Sequence, residues 1–419
     1  MNKRWNNGYN TVLTGQAGSG KSWTVEHEII DKYGDYCKIA LTGMTGLASC
    51  NIRGQTIHSW LNLGMIKGNL EYEDKGLEAN IDRIIYNTNK KWEHVKDVDT
   101  LIIDEISMCD ALTLDIIDGV LRWVKRNNKP FGGIQMILVG DNYQIPPVKK
   151  DEYGYYFQSK AYKDGNFKAV VLKQQHRQTD SEFLNVLNRI RVGNHTEKDI
   201  NFLNMRNIEK VNYNLIPEDA VILYPTNKEV ENANQVYFDG IDEPIEYFYA
   251  KDERHIPQLK IKGVIVDDKL DKDLRVPSVL KLKRGCSILL LSNLDVPRGI
   301  VNGSQGIFLG QYCDKLLCDF NGCRFEVPKQ KFEVYHQDNL VFTRVQYPLI
   351  LGRSITIHKA QGMTLEKAFI DFTRIFSPHQ SYVALSRVKS INGLFVKGLT
   401  KNKIWVDKNV VEYMKELEK

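Results

Sequence analysis

The 419-residue chain has no apolar run approaching the ~18 residues of a membrane-spanning helix. It has no Cys-x-x-Cys pair either, because its seven cysteines are scattered. This scatter argues against a disulfide framework and favours a reducing compartment. Cys313, Cys318 and Cys323 have the wrong spacing for zinc, so we interpret them as small strand residues.

The chain also lacks a large excess of positive or negative charge. The chain has 57 Lys and Arg against 52 Asp and Glu, a formal net charge of +5. Such a balance permits a nucleic-acid partner without demanding one. The polar start, MNKRWNNGYN, leaves no room for a leader before the first strand-like stretch, and we expect a cytoplasmic protein.

Short apolar runs alternate with helical patterns along the chain. Runs that are apolar on both faces are typical of buried parallel strands, so the alternation predicts an α/β fold. A first set of such runs comprises YNTVLTG, CKIALTG, TLIIDE, IQMILVGD and KAVVL. A second set comprises AVILYPT, SITIHK, KAFIDF and NGLFVKGL.

Two stretches interrupt these sets. The pattern of residues 280–346 predicts short strands, with Asn321-Gly322 as a two-residue hairpin turn. Residues 60–97 form a separate interruption with a helical pattern. The sequence therefore predicts two α/β domains, each carrying an inserted module.

The strongest motif is GQAGSGKS, which begins at Gly15 and fits G-x-x-x-x-G-K-[ST] between a strand and a helix. Its glycines let backbone N–H groups surround phosphate oxygens at a helix N-terminus. We expect Lys21 to meet the β- and γ-phosphates and the Ser22 hydroxyl to bind Mg²⁺.

Two further strands end in polar residues suited to nucleotide hydrolysis. The run LIID ends in Asp104 and is followed by Glu105, so we expect Asp104 to bind the metal and Glu105 to deprotonate water. The strand IQMILVG leads into Asp141–Gln144, from which Gln144 could reach a γ-phosphate. Hydrolysis is therefore favoured over transfer to an acceptor.

These motifs stand in an order that resembles superfamily-one helicases, and most closely the PIF (petite integration frequency) family of DNA helicases. The resemblance spans residues 11 to about 397 and rests on GQAGSGKS, TGMTGLAS, TIHS, DEISM, NKPFGGIQMILVGDNYQIPPV, HRQTDSEFLNVLNRIRVG, YPTNKEVENANQ, VNGSQG, ITIHKAQGMTL and YVALSRV.

The resemblance implies two RecA-like P-loop domains, with parallel sheets and flanking helices, that bind ATP between them. The implied first domain comprises residues 1–59 and 98–200, with a wedge insertion at 60–97. The second comprises 201–279 and 347–419, with a small β-barrel insertion at 280–346. The resemblance further implies that the protein moves 5′→3′ along single-stranded DNA, with the two domains gripping the strand alternately. It also implies unwinding of 5′-tailed duplex. The core activity is expected of a monomer.

The implied site residues fall into four groups. Catalysis is assigned to Lys21, Glu105, Gln144, Arg177, Gln361 and Arg387. ATP binding is assigned to Gly15, Gly18, Gly20, Lys21 and Ser22, and Mg²⁺ binding to Ser22 and Asp104. Contacts with DNA are assigned to Thr42, Thr45, Thr56, His58, Asn227, Asn302, Thr356 and His358.

One departure from the family pattern concerns the base. Family members usually carry a glutamine segment upstream of the P-loop, and no Gln precedes Gly15 here. Either the base is held otherwise or nucleotide selectivity is relaxed. The short start also favours a bacterial or phage source.

The residues leave several alternatives open. One is a RecD- or Dda-type helicase or an RNA helicase of the same superfamily, and another is a DNA-stimulated ATPase clamp that does not unwind. The preferred substrate is equally open among forks, G-quadruplexes, D-loops and RNA–DNA hybrids. Trp60, Tyr72 and Trp92 are candidates for stacking on bases, although core packing is the favoured interpretation.

Overall fold

The computed structural model of the chain describes residues 4–45, 48–49, 52, 54–63, 66, 73–86, 92–148, 150–174, 178, 180–208, 216–217, 219–255, 276–295, 297–336 and 339–417. The chain divides into two compact units. The first comprises Met1–His176, Tyr335–Leu340 and Lys408–Lys419, and the second comprises Arg177–Val334 and Val341–Asp407.

The first unit is built on a parallel sheet. Its described strands are β1 (Thr11–Gly15), β2 (Ile39–Gly43), β3 (Gln55–Thr56), β4 (Thr100–Asp104), β5 (Gln135–Gly140) and β6 (Lys168–Leu172). They pair in the order β3-β2-β4-β5-β1-β6. Every residue of β1, β4 and β5 is buried, as expected for central strands covered on both faces.

The first unit also contains helices. Their described bounds are Lys21–Trp23, Asp31–Tyr33, Ile57–Trp60, Glu73–Tyr86, Glu93–Lys96, Ala111–Lys125, Lys150–Tyr153, Lys160–Asp164 and Lys408–Leu417, with a π-helical stretch at Thr24–Ile30. The helix Ala111–Lys125 begins where the Asp110 carboxylate accepts a hydrogen bond from the Thr113 N–H. It buries an apolar face and ends at Arg126, which has a left-handed conformation.

The second unit contains a smaller parallel sheet. Its described strands are β7 (Val221–Tyr224), β18 (Ser354–Thr356), β19 (Ala368–Asp371) and β20 (Leu394–Lys397), in the order β18-β7-β19-β20. Its described helices are Ser181–Arg191, Glu197–Asn204, Asn227–Asp239 and Gln380–Leu385. This second alternation of strand and helix confirms the predicted α/β pattern.

Antiparallel strands lie between β7 and β18 in the chain. The described ones are β8 (Glu246–Tyr249), β9 (Lys251–Arg254), β10 (Val279–Leu282), β11 (Ser287–Leu290), β12 (Gln305–Tyr312), β13 (Lys315–Phe320), β14 (Cys323–Val327), β15 (Gln330–His336), β16 (Asn339–Gln346) and β17 (Leu349–Leu351). They form the sheets β10-β8, β14-β13-β12-β11-β17 and β15-β16-β9. Phe308, Leu316 and Leu349 lie in a core that the sheets β10-β8 and β14-β13-β12-β11-β17 share.

The predicted hairpin at Asn321-Gly322 is confirmed. Phe320 pairs with Cys323 across the turn. Both turn residues have positive φ, 54° at Asn321 and 86° at Gly322, as this turn requires. The Gly322 N–H donates to the Asp319 carboxylate at 2.6 Å.

The strand pairing differs from the predicted module bounds of 280–346. The antiparallel module already includes β8 and β9, because β8 pairs with β10 and β9 pairs with β16. It also includes β17, which pairs with β11. Pairing between distant segments, rather than local pattern, sets these bounds.

Two helical segments also lie in a different unit from the predicted one. The helix Lys408–Leu417 belongs to the first unit, although residues 347–419 were expected in the second domain. The helices Ser181–Arg191 and Glu197–Asn204 belong to the second unit, although the first domain was expected to reach residue 200.

Two expectations about what the chain lacks can be compared with the described residues. Among them, no helix is both long and apolar enough to span a membrane. The six cysteines that the structure describes are all free, and Cys318 lies buried in β13 as a small strand residue. Burial raises the pKa of the Cys318 thiol to about 12.

Candidate nucleotide and nucleic-acid sites

The loop Gln16–Gly20 connects the carboxyl end of β1 to the helix that begins at Lys21. A Cβ atom on Gly15 would lie 2.5 Å from the Ser19 hydroxyl oxygen and 2.7 Å from the Leu172 carbonyl oxygen. Gly18 and Gly20 have φ of 79° and 87°, which residues with side chains rarely adopt. The tight loop therefore requires its glycines.

The polar groups of this loop suit a phosphate. The Lys21 ammonium donates to the Gly15 carbonyl at 2.8 Å and to the Gln16 carbonyl at 3.1 Å, which holds it over the loop. The Ser19 hydroxyl is buried and has no hydrogen-bond partner among the residues that the structure describes. Burying a hydroxyl unpaired costs free energy, which a phosphate oxygen would relieve.

Asp104 and Glu105 lie at the carboxyl end of β4. Asp104 is buried, and its carboxylate accepts a hydrogen bond from the Glu105 N–H at 2.8 Å. Burial, and after it the negative charge of Glu105, raise the pKa of Asp104 to about 7, although the Glu105 N–H and the Lys21 charge act in the opposite direction. Glu105 is half-buried, with φ of 54°.

The donor set at this edge fits Mg²⁺. The Asp104 carboxylate is a hard oxygen donor near the Lys21 ammonium, and the Ser22 hydroxyl is exposed on the first helical turn. Among the described residues, no group of three or more His, Cys, Asp or Glu could form a cage for a metal ion. Mg²⁺ in nucleotide sites is typically held by one or two protein oxygens, with phosphates and water as the remaining ligands.

The third strand end carries the segment Asp141–Gln144, called the sensor loop below. The Gln144 N–H donates to the Asp141 carbonyl at 2.9 Å, and the Tyr143 N–H donates to the Asp141 carboxylate at 3.2 Å. The Gln144 side chain is buried, with its amide 3.5 Å from the Asp141 carboxylate. Since β4, β5 and β1 are neighbours, all three motifs lie at one edge of the sheet.

The structure describes two of the three catalytic residues that were predicted in the second unit, and both are buried. Arg387 is buried, and its guanidinium donates to the Val383 carbonyl and to the Ser386 hydroxyl, both at 3.0 Å. Gln361 is also buried. Arg177 lies outside the described residues.

Gln178 is a residue that the sequence analysis did not single out, although it follows Arg177 in the motif HRQ. Its side-chain amide donates to the Ser386 carbonyl at 3.1 Å and to the Val388 carbonyl at 3.3 Å. It therefore ties the segment after Arg177 to the segment that carries Arg387.

The DNA-contact candidates of the first unit lie at the ends of β2 and β3, which are adjacent. Thr42 is fully buried, and its hydroxyl donates to the Ile102 carbonyl at 2.7 Å, so this side chain joins β2 to β4. The Thr56 hydroxyl caps the helix Ile57–Trp60 and donates to the Ser59 hydroxyl.

Two first-unit candidates are more accessible. Thr45 is half-buried, and its hydroxyl accepts a hydrogen bond from the Ala48 N–H at 3.2 Å. His58 is half-buried; desolvation lowers its pKa, which the charge of Asp110 partly offsets. A neutral imidazole at pH 7 can donate to a phosphate from one nitrogen.

The second-unit candidates follow neighbouring strands. Thr356 ends β18 and pairs in register with Tyr224 at the end of β7, shortly before Asn227. Asn227 is exposed at the first position of its helix, while the Thr356 hydroxyl is buried and accepts a hydrogen bond from the Lys359 N–H. His358 is exposed, and partial desolvation lowers its pKa.

Asn302 differs from these residues. It is half-buried, and its N–H donates to the Asn293 side chain at 2.8 Å. Its side-chain oxygen is buried, and no described residue forms a hydrogen bond with it. An unpaired polar atom of this kind is consistent with a ligand contact.

The three stacking candidates do not form an aromatic surface within the described residues. Trp60 and Trp92 are buried, and both rings pack against His94. Core packing, the favoured interpretation, is therefore confirmed for them. Tyr72 lies outside the described residues.

The distinctive segment NKPFGG has a structural role that sequence reasoning missed. Phe131 is buried with φ of 53°, and its N–H donates to the Asp118 carboxylate at 2.5 Å. Asp118 also accepts a hydrogen bond from the Arg122 guanidinium at 2.8 Å. We call this arrangement the Asp118 latch, since it fastens the turn Pro130–Gly133 to the helix Ala111–Lys125.

A phosphate-binding loop, an acidic strand end and a glutamine sensor at one edge of a parallel sheet define a P-loop nucleoside triphosphatase. The second parallel sheet makes it a two-sheet member of that class. Comparison with known proteins identifies the family within this class.

The family described as PIF1-like helicase matches residues 3–201, and the family described as DNA helicase Pif1, 2B domain, matches residues 268–310. The ATP-dependent DNA helicase Pif1 of Bdellovibrio bacteriovorus is 32% identical over 417 residues, which cover 98% of this chain and 89% of the relative. The human ATP-dependent DNA helicase PIF1 is 31% identical, with 98% of this chain and 62% of the relative covered.

Solved structures agree with these relatives. Bacteroides Pif1 in complex with ADP-AlF4 has a TM-score of 0.78 and 28% identity, over 99% of this chain and 94% of that one. Candida albicans Pif1 has a TM-score of 0.73 and 31% identity, over 98% and 96%. The chain belongs to the family of PIF1-like helicases. It is an ATP-dependent DNA helicase with two RecA-like domains.

Proposed function

We propose that the protein moves 5′→3′ along single-stranded DNA and unwinds 5′-tailed duplex, with Mg²⁺ as the cofactor of ATP hydrolysis. The observation that carries this proposal is the meeting of the P-loop, the Asp104–Glu105 pair and the sensor loop at one sheet edge. Family membership supplies the DNA substrate.

In this proposal the first unit binds ATP and activates water. Lys21 and the glycines at 15, 18 and 20 hold the phosphates, and Ser22 and Asp104 hold Mg²⁺, which supplies positive charge against the developing phosphate charge. Glu105 takes the proton from the attacking water, and Gln144 orients the γ-phosphate.

The second unit contributes Arg177, Gln361 and Arg387. An arginine that meets the developing phosphate charge can raise the rate by ~10³–10⁵. Arg387 would have to exchange its hydrogen bonds to Val383 and Ser386 for phosphate oxygens in order to act in this way. The Gln178 side-chain amide supports the proposal for Arg177. Gln178 follows Arg177 in the chain, and its amide donates to the carbonyl of Ser386, the residue before Arg387.

We propose that DNA is held by groups from both units. The accessible candidates are Thr45, His58, Asn227 and His358, together with Asn302, while Thr42, Thr56 and Thr356 shape the loops that present them. Contacts of this kind bind phosphates and sugars without reading sequence. We assign strand separation to the predicted wedge at 60–97, which directly follows the DNA-contact segment in the chain.

Related solved structures support a DNA substrate. One reports Bacteroides Pif1 bound to ssDNA, and another reports unwinding at forked dsDNA by two coordinating Pif1 helicases. For the present chain we propose a monomer as the core activity, because one chain carries every proposed site residue. The same translocation would act on a G-quadruplex or an RNA–DNA hybrid in its path.

We infer that the protein works in the cytoplasm of a bacterial or phage-infected cell. The buried free cysteines at 37, 109, 286 and 318 support a reducing compartment.

The decisive experiment compares forks that differ only in the polarity of the tail. With ATP and Mg²⁺, we expect unwinding of the 5′-tailed fork and none of the 3′-tailed fork. Lys21→Ala should abolish unwinding, and Glu105→Gln should lower the ATPase kcat by ~10²–10⁴ because the base for water is lost.

Other outcomes of the same experiment identify the alternatives. Unwinding of the 3′-tailed fork would contradict the proposed polarity. DNA-stimulated ATPase without unwinding would indicate a clamp, and faster unwinding of a matched RNA fork would indicate an RNA helicase.

A further inference from the structure

The helix Lys408–Leu417 packs against the sensor loop, and the proposed function gives this helix no role. Met414 is buried on its inner face. The Met414 thioether sulfur accepts a hydrogen bond from the Asn142 side-chain amide at 3.4 Å. Asn142 lies two residues before Gln144, inside the sensor loop.

Tyr413, the neighbour of Met414, lies in an aromatic group of the first unit. Its ring stacks on Phe157, with 4.0 Å between centroids and 3° between planes. Tyr156 and Tyr162 contact the same ring edge to face. One stacked contact and two edge-to-face contacts fix the orientation of the Tyr413 ring.

The hydroxyl of Tyr413 extends this group to the sensor loop. It lies 2.6 Å from the Tyr162 hydroxyl and 3.3 Å from the Tyr156 hydroxyl. Tyr156 in turn shares a side-chain hydrogen bond with Asn142. Burial raises the pKa of both Tyr156 and Tyr413 above the usual tyrosine value, which already lies well above neutral pH, and the two hydroxyls are therefore protonated.

Asn142 is therefore held from two sides, by the Met414 sulfur and by the Tyr156 hydroxyl, and the Tyr156 hydroxyl in turn contacts that of Tyr413. The hydrogen bonds described within the sensor loop join Tyr143 and Gln144 to Asp141. They give the loop its shape, whereas the bonds of Asn142 fasten the loop to the helix. A side chain that acts in catalysis must be held within about 0.5 Å, which requires such support from its surroundings.

We propose that the helix Lys408–Leu417 positions Gln144 for ATP hydrolysis through Asn142, with Tyr413 and Met414 as positioning residues. This inference rests on the role proposed for Gln144. Neither residue touches the nucleotide. Each acts by fixing the loop from which Gln144 extends.

The test uses substitutions in the full-length protein that remove one atom group at a time. Tyr413→Phe removes the hydroxyl and keeps the ring stack, and Met414→Leu removes the sulfur acceptor and nearly keeps the volume. We expect each to lower the kcat of DNA-stimulated ATP hydrolysis ~3–10-fold, the effect of one lost hydrogen bond, with KM for ATP unchanged. Tyr162→Phe should reproduce the loss, because it removes the same hydrogen bond from the other side.

A double-mutant comparison separates positioning from plain destabilisation. In a Gln144→Ala background, Tyr413→Phe should cause no further loss of kcat, since the side chain it positions is gone. Tyr312→Phe, at an exposed tyrosine on β12, is the matched control and should leave kcat unchanged.

Hydrogen exchange supplies a second measurement that does not depend on activity. Amide exchange in the peptide that contains residues 141–144 should be faster in Tyr413→Phe than in the wild type. Equal exchange, or a kcat loss that is just as large in the Gln144→Ala background, would overturn the inference. A wild-type chain without ATPase activity would contradict the proposed function instead, and the exchange measurement would still decide this inference.

Discussion

Asp104 shows how the nucleotide site works against the stability of the fold. Its carboxyl group has an ordinary pKa of 3.8, and the fold raises this value to about 7, chiefly by burial and then by the charge of Glu105. A buried carboxylate beside a second, half-buried one is unfavourable in the folded protein alone. A divalent cation with phosphates would offset the cost, and so the same feature that destabilises the fold favours the ligand.

The first residue-scale prediction concerns Asp104→Asn. Because the folded state binds the Asp104 proton more tightly than the unfolded chain, ionisation destabilises the fold increasingly between pH 3.8 and about 7. We expect the substitution to raise the free energy of unfolding by about 2–4 kcal/mol at pH 8, less at pH 5, and to abolish ATPase activity.

Denaturant unfolding at the two pH values, without divalent cations, measures this difference. Asp151→Asn is the control, since its side chain is 91% exposed. A gain in stability that does not depend on pH would contradict the assigned cause.

At the scale of elements, the Asp118 latch explains why the segment NKPFGG takes its form. A Cβ atom on Gly132 would lie 2.6 Å from the Leu121 carbonyl oxygen, so the turn can approach the helix only with glycine at this position. The Asp118 carboxylate accepts a hydrogen bond from the N–H of Phe131 at the centre of the turn. The segment thus stabilises the first unit by fastening the turn to the helix.

The prediction at this scale compares two substitutions of Asp118. Asp118→Ala leaves the buried Phe131 N–H without an acceptor, which should lower the free energy of unfolding by about 1–3 kcal/mol. Asp118→Asn keeps an oxygen acceptor and should cost less. Chemical unfolding measures both, and the ATPase kcat of the folded variants should equal that of the wild type. Equal losses for Asn and Ala would show that the Phe131 hydrogen bond is not the cause.

At the scale of the whole molecule, the charge balance sets how DNA binding responds to salt. A net charge of +5 on 419 residues, with uncharged threonine, asparagine and histidine as the proposed DNA contacts, implies that few phosphates are neutralised by Lys or Arg. Most of the affinity should then come from hydrogen bonds, which salt screens less than ion pairs.

The corresponding prediction is a shallow salt dependence. A plot of log affinity for single-stranded DNA against log salt concentration should have a slope between about −2 and −4, which corresponds to about three to six neutralised phosphates. Fluorescence anisotropy at several salt concentrations measures the slope. A slope near −10 would show a basic surface that the net charge conceals.

Much of the nucleotide site could be predicted from sequence because its motifs are short and local. The spacing of Gly15, Lys21 and Ser22 defines a loop between strand and helix, and Asp104 and Gln144 follow apolar runs that are strands in any α/β arrangement. The parallel topology then brings these strand ends to one edge. The roles of the DNA-contact residues came from the family resemblance, and they stay predictions.

The sequence by itself determined the α/β class, the P-loop and the order of the motifs, because these depend on neighbours a few residues apart. The tertiary structure alone decided which unit holds the helix Lys408–Leu417, that Asn142 meets Met414 across 272 positions, and that Gln178 meets Ser386 across 208. It also decided the raised pKa of Asp104, since burial depends on what the rest of the chain packs around a group. Contacts between distant residues leave no periodic pattern in the sequence, and so only the folded chain shows them.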